Sequence, residues 1–209
     1  MASRKIITPE FRCSFANLLT PSEGRGGSGE PNGKFSYSVT ALFDPTDVAE
    51  IEKLVEEAVF EKWGKNPPVL WRHPLRQGTP VSRANPGGYD LEKYPENKGK
   101  MVATLKAGTT RYADGSFDVS KKPNLVDWNN EPIIDRAEVY SGMYARAQIV
   151  ARAYDKGSEG VNLYLHNVQK TRDGEPLGSA RDKAEDVFAP FAAVPSSTNN
   201  DMFDDIADV

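Results

Sequence analysis

One cysteine, Cys13, and two histidines, His73 and His166, stand among 209 residues. A single cysteine excludes an internal disulfide and any cysteine-based zinc site. Two histidines so far apart offer no pair at metal-ligand spacing. No run of about 18 apolar residues occurs, so no membrane-spanning helix is expected. The start, Met1-Ala2-Ser3-Arg4-Lys5, lacks the apolar stretch of a secretory signal, and a cytoplasmic location is the expectation. No GxxxxGK[ST] phosphate loop is present. The glycine-rich run from Gly24 to Gly29 is followed by no helix and reads as a flexible linker. Acid pairs such as Asp204-Asp205 fall in a segment too polar to hold a metal rigidly. Cys13 sits in an alternating run with Phe11 and Phe15, as a packed thiol and not a nucleophile. We therefore expect no catalytic residues, no metal, no cofactor and no enzymatic activity.

Acid predominates slightly, for a net charge of −4, but it is unevenly spread. Residues 1–181 carry 25 Lys and Arg against 23 Asp and Glu, whereas residues 182–209 carry one lysine and seven acids. A mildly basic body with an acidic end suggests a tail with a task of its own. Residues 1–195 are expected to form one domain, and residues 196–209 an acidic, disordered tail.

Hydrophobic residues make up 38% of the chain, which favours one core with generous loops. Alternation marks half-buried strands at Phe11 to Phe15, Lys34 to Phe43 and Lys100 to Ala107. Between the first two, residues 20–33 are rich in Gly, Ser, Pro and Glu and read as a mobile hairpin loop. Residues 44–63 form the clearest helix. Asp44 is the expected N-cap, Pro45 the first helical residue, and Gly64 the stop. Its acidic outer face makes it scaffold. The proline-punctuated stretch 66–97 reads as a loop-rich insertion. A short helix is expected from Ala180 to Phe188. The expected fold is mainly β: an OB-type five-stranded barrel with one prominent helix and long loops, a β-sandwich being the alternative.

The strand from Ser141 to Tyr154 is the most informative segment. Met143, Ala145, Ala147, Ile149, Ala151 and Ala153 share one face, which reads as core. Tyr144, Arg146, Gln148, Val150, Arg152 and Tyr154 share the other. On the next strand, Gly160 to Lys170, Tyr164, His166 and Lys170 are expected outward beside them. Cations that pair with phosphates, interleaved with rings that accept unstacked bases, suit single-stranded nucleic acid. Lys106, Arg111 and Tyr112 extend the candidate surface, with Trp71, Arg72, Arg76, Lys121, Lys122 and Trp128 as candidate groove walls. In the tail, Asp201, Asp204, Asp205 and Asp208 are interleaved with Phe203 and Ile206, as in a peptide that docks on a basic, partly apolar partner. A protein-interaction adaptor without nucleic-acid binding is the alternative function.

Several stretches carry a family resemblance: Phe15-Ala16-Asn17-Leu18 leading to Lys34-Phe35-Ser36-Tyr37-Ser38-Val39-Thr40; Ser141-Gly142-Met143-Tyr144-Ala145-Arg146; and Gly160-Val161-Asn162-Leu163 through Asn167-Val168-Gln169-Lys170 with Asp173-Gly174. With the acidic ending, they resemble bacteriophage single-stranded-DNA-binding, helix-destabilising proteins of the OB-fold type. The resemblance implies sequence-tolerant binding of single-stranded DNA in phage replication or recombination, inside the infected bacterial cell. It also implies that the tail contacts partner replication or recombination proteins and tempers DNA binding.

Overall fold

Five strands, each with one apolar face, pair into a closed ring. In a computed structural model of the protein, residues 4–25, 29–82 and 88–177 are described. The chain divides into two units, Met1–Gly178 and Ser179–Val209. The second falls outside the described residues, and with it the expected helix from Ala180 to Phe188 and the acidic tail.

The strands are β1 (Ile6–Ile7), β2 (Phe11–Arg25), β3 (Pro31–Phe43), β4 (Leu75–Gln77), β5 (Met101–Thr109), β6 (Asn124–Val126), β7 (Tyr144–Tyr154) and β8 (Gly160–Arg172). β2 pairs antiparallel with β3, and β3 with β5. β5 pairs with β8 in parallel, at Leu105↔Leu163 and Lys106↔Tyr164. β8 pairs antiparallel with β7, which returns to β2 at Phe11↔Ala145. This circuit, β2-β3-β5-β8-β7, meets the expectation of an OB-type, mainly β fold. β1, β4 and β6 add short pairings outside it.

The inside is filled by one face of each strand: Phe11 and Cys13, Val39 and Ala41, Ala103 and Leu105, Ala145 to Ala151 in alternation, and Leu163 with Leu165. Phe11 and Phe43 meet edge to face, with centroids 5.2 Å apart. The one α-helix among the described residues, α1 (Ala49–Trp63), packs Ile51, Leu54, Val55 and Ala58 into this core. A 3₁₀ turn, Pro45–Asp47, precedes it. The Asp44 side chain caps nothing and pairs instead with Lys100. Gly64 ends α1 at φ 62°, a left-handed geometry that suits glycine. Burial pushes the Cys13 thiol up to about 12, in keeping with a packed residue.

Two local expectations are corrected. The hairpin of residues 20–33 is mostly strand, since β2 runs to Arg25 and β3 starts at Pro31, with register shifts along the way. Phe15 is not inward with Phe11 and Cys13 but 49% exposed. Between the pairs Ser14↔Thr40 and Asn17↔Ser38, β2 spends one residue more than β3, a bulge that reverses the alternation.

The described residues of the insertion, 66–82 and 88–97, lie along the outside of the ring as a strap. Arg72 accepts a hydrogen bond from the Val161 N–H (3.1 Å) and donates its own N–H to the Glu159 carbonyl (3.0 Å). β4 then pairs with β5, and farther on Ser14 Oγ, on β2, donates to Glu96 Oε1 (3.3 Å). His73 ties the strap to α1 through Glu52 (3.1 Å), and Trp71 packs half-buried against the core.

Candidate nucleic-acid interface

Outside the ring, the faces of β3 and β5 carry Ser36, Ser38 and Thr40 beside Gly108, Lys106 and Thr104. Small side chains make this floor shallow, and Lys106 is its one cation. On β8, Tyr164 lies alongside Lys106. Across the β7–β8 pair, the Arg152 guanidinium sits 5.7 Å from the Tyr164 ring centroid. His166 follows on β8, where burial and then the positive charges of Lys5 and Arg152 hold its imidazole below the ordinary value.

Next to this group the strap encloses a cleft of about 500 Å³, lined among others by Arg72, Arg76, Tyr89, Thr104, Lys106, Tyr154 and Asn162. Among the described lining residues there is no aspartate or glutamate. Arg76 lies over the Tyr89 ring at 5.0 Å. Tyr154 is seated by Gly160, where a Cβ would stand 2.6 Å from its hydroxyl. Among the described residues, Arg72, Lys106 and Arg152 have no acidic partner within ion-pair distance. Unneutralised cations around half-exposed rings form a surface for an unpaired, phosphate-bearing strand.

The other expected site residues lie elsewhere. Tyr144 stands at the opposite end of β7 from Tyr154, roughly 33 Å away at the usual rise per residue. Its ring is covered by the Arg172 guanidinium at 3.4 Å, which Glu10 grips from the other side (2.8 Å). Lys170, expected outward, is buried. Its Nζ lies 2.8 Å from Asp173 and 5.5 Å from the Tyr140 ring centroid. The cause is a second bulge: Gln148 pairs with Asn167 but Ile149 with Leu165, so His166 is the extra residue and the faces exchange beyond it. Val150, also expected outward, points away from the core cluster yet is buried. Arg146 Nε donates to Gln169 Oε1 (2.7 Å) beside a carboxamide ladder, Gln148–Asn167–Asn124. Arg111 and Tyr112 belong to a turn beyond β5, where Arg111 lies over the Phe35 ring at 5.5 Å and Tyr112 is exposed. The Trp128 side chain is exposed.

Residues 4–203 match the family model described as the single-stranded-DNA-binding protein of Enterobacter phage Enc34. The chain belongs to the Enc34 single-stranded-DNA-binding family. A relative in Acyrthosiphon pisum secondary endosymbiont phage 1, named putative protein p50, is 25% identical over 184 residues, covering 82% of this chain and 85% of its own. The fold is similar to that of the bacteriophage Enc34 single-stranded DNA-binding protein solved in complex with ssDNA. There the TM-score is 0.59 at 22% identity, over 83% of this chain and 89% of that one. It is also similar to gp2.5, the single-stranded DNA binding protein encoded by bacteriophage T7: TM-score 0.54, 15% identity, 86% and 92% coverage.

Sequence reasoning misses two aromatic residues of this Enc34-family chain, Tyr89 and Tyr94, because both sit in the insertion. Their signal is faint: lone tyrosines among Pro and Gly, each near a cation, Arg76 and Lys93. Alternation alone assigns Phe15 to the core, because no residue type announces the bulge that turns it out.

Proposed function

We propose that this protein binds single-stranded DNA with little regard to sequence, along the outer face of β7, β8, β5 and β3. The observation that carries this reading is the cleft of Arg72, Arg76, Lys106 and Tyr154, with no aspartate or glutamate among its described lining residues, continuous with the Arg152–Tyr164 pair. Membership of the Enc34 family, and the likeness to a protein solved with ssDNA, support it. In this reading Lys106 and Arg152 meet phosphates, Tyr154 and Tyr164 accept bases, and His166 borders the backbone. Arg146, and Arg111 with Tyr112 past the end of β5, meet a longer strand as it leaves. Tyr144 and Lys170 brace the fold from the far end. The function is binding and protection of the strand, with no chemistry performed on it.

The finer role is replication or recombination of a phage genome in the bacterial host's cytoplasm. In keeping with a water-exposed role, no helix among the described residues is long and apolar enough to cross a membrane. Contact with partner proteins is assigned to Asp201, Phe203, Asp204, Asp205, Ile206 and Asp208, all outside the described residues. Its support is the concentration of acids and apolar anchors there.

Titration of oligothymidine against a duplex of equal length, at two salt concentrations, tests the reading. Single-strand affinity should exceed duplex affinity and fall with salt at a log–log slope of roughly −0.7 per neutralised phosphate. Equal affinity for both forms would reject base stacking, and binding to neither would favour the adaptor.

A further inference from the structure

Phe15 combines three observations. It is a large apolar side chain left 49% exposed. It holds φ at 49°, in the left-handed region that non-glycine residues avoid. Its ring meets Tyr94 of the strap edge to face, centroids 5.4 Å apart, and Lys93 Nζ lies 5.4 Å from the Tyr94 ring centroid. Plain burial explains none of this, since a phenylalanine in ordinary strand geometry at this point would have joined Phe11 and Cys13 inside. A conformation of this kind persists where its surroundings hold it, and such positions cluster at ligand sites.

Register places Phe15 with respect to the proposed DNA surface. Tyr164 is paired with Lys106, Lys106 with Ser38, and Ser38 with Asn17, so one row crosses β8, β5, β3 and β2. The neighbouring row runs from Thr104 through Thr40 to Ser14. Phe15 stands between the ends of these rows, three strand intervals from Tyr164, or roughly 14 Å. Between lie lysine, serine, threonine and asparagine, low enough for a backbone to lie across, and at the β2 end Ser14 is buried with its hydroxyl bonded to Glu96 of the strap. Aromatic rings thus bound a shallow polar floor on both sides, each with a cation beside it: Arg152 at Tyr164 and Lys93 at Tyr94.

We infer that Phe15 and Tyr94 form a second base-stacking station, and that the bound strand crosses the ring from β8 to β2 between the two aromatic sites. The inference rests on the single-strand-binding reading above and adds a path and an end point to it. The strap thereby becomes part of the binding surface.

The test is an oligothymidine length series on the full chain, comparing wild type with Phe15→Leu, Phe15→Tyr and Tyr94→Ala, with thermal unfolding of each. Leucine keeps apolar bulk without an aromatic face, and tyrosine keeps the face. For long oligomers Phe15→Leu and Tyr94→Ala should each lose roughly 5- to 150-fold in affinity, the range of one stacked base. Phe15→Tyr should bind as wild type does. For oligomers too short to reach β2 all four proteins should bind alike. Equal binding of wild type and Phe15→Leu at every length overturns the station while leaving the DNA-binding reading in place. A loss of the same size at every length, accompanied by a lower unfolding temperature, also overturns it, because the pair is then a brace. Absence of binding by the wild type would reject the broader reading itself.

Discussion

Tyr144 and Tyr154 carry the same ring on the same face of one strand, and their surroundings separate them. One face of the Tyr144 ring is covered by Arg172, which is itself paired with Glu10, so both groups are already engaged. Tyr164 stands free beside Arg152. Tyr164→Ala should therefore weaken oligothymidine binding by about 1–3 kcal/mol with little change in unfolding temperature. Tyr144→Ala should do the reverse, lowering the unfolding temperature while the titration stays near wild type. His166 gives a second test. Its folded value lies below the usual 6.5 because of burial, Lys5 and Arg152. Above pH 6.5 it is neutral folded or unfolded and contributes nothing; as pH falls through 6.5 the unfolded chain takes the proton first, and stability declines. A phosphate between Lys5 and Arg152 would offset both charges and raise the imidazole's affinity for a proton. DNA binding should then take up protons and tighten as pH falls from about 7.5 to 5.5. Titrations across that range should show the trend in wild type and a flatter profile in His166→Gln.

At the scale of elements, legibility stops at the bulges. Alternation identifies the core residues Tyr37, Val39, Ala41 and Phe43 of β3 and Ala145, Ala147, Ile149 and Ala151 of β7, because a side chain every second position is a property of the strand itself. It fails past Ser14 and past His166, where one extra residue exchanges the faces: Phe15 comes out and Lys170 goes in. A bulge is set by the partner strand, which local pattern does not contain. The strap is legible as irregular chain but not as a wall, since its contacts to β2, β5 and β8 are distant in sequence. Its base depends on Gly78, whose N–H donates to the Lys100 carbonyl (2.7 Å) and whose carbonyl accepts from the Gly99 N–H (3.2 Å). A Cβ there would fall 1.6 Å from the Asn97 carbonyl oxygen, so the backbone itself must shift. Gly78→Ala should cost about 1–3 kcal/mol of stability through overpacking. It should also weaken oligothymidine binding by displacing Arg76 and Tyr89. Urea unfolding and titration of the same preparation measure both; an unchanged affinity would mean the strap's position does not matter to the groove.

For the whole molecule, the sequence already displays the division of charge between a basic body and an acidic end, because composition needs no structure. The order of strands around the ring is not legible, since the parallel β5–β8 pair joins residues far apart in the chain. Removing residues 199–209 deletes four aspartates and no basic side chain, taking the net charge from −4 to neutral. Affinity for single-stranded DNA should rise, most at low ionic strength where screening is weakest. Pull-down of replication proteins should fail with the truncated chain, and a Phe203→Ala, Ile206→Ala double variant should lose the partner while keeping most of the electrostatic restraint. Unchanged affinity at low salt together with intact pull-down would leave the acidic end with neither role.

The parallel pair that closes the ring also fixes an order in time. β2 is made before β7, and β5 before β8, so one edge of each waits for its partner. Until the chain has been made as far as β8, the apolar faces of β2, β3 and β5 have no wall opposite them, and helix α1 waits for β7, its chief neighbour. Closing loops of such length before any contact rewards them makes folding slow by topology alone. Between the making of β2 and the making of β8 the core stays unsealed, and apolar faces left open in that interval are exposed to aggregation and to proteases.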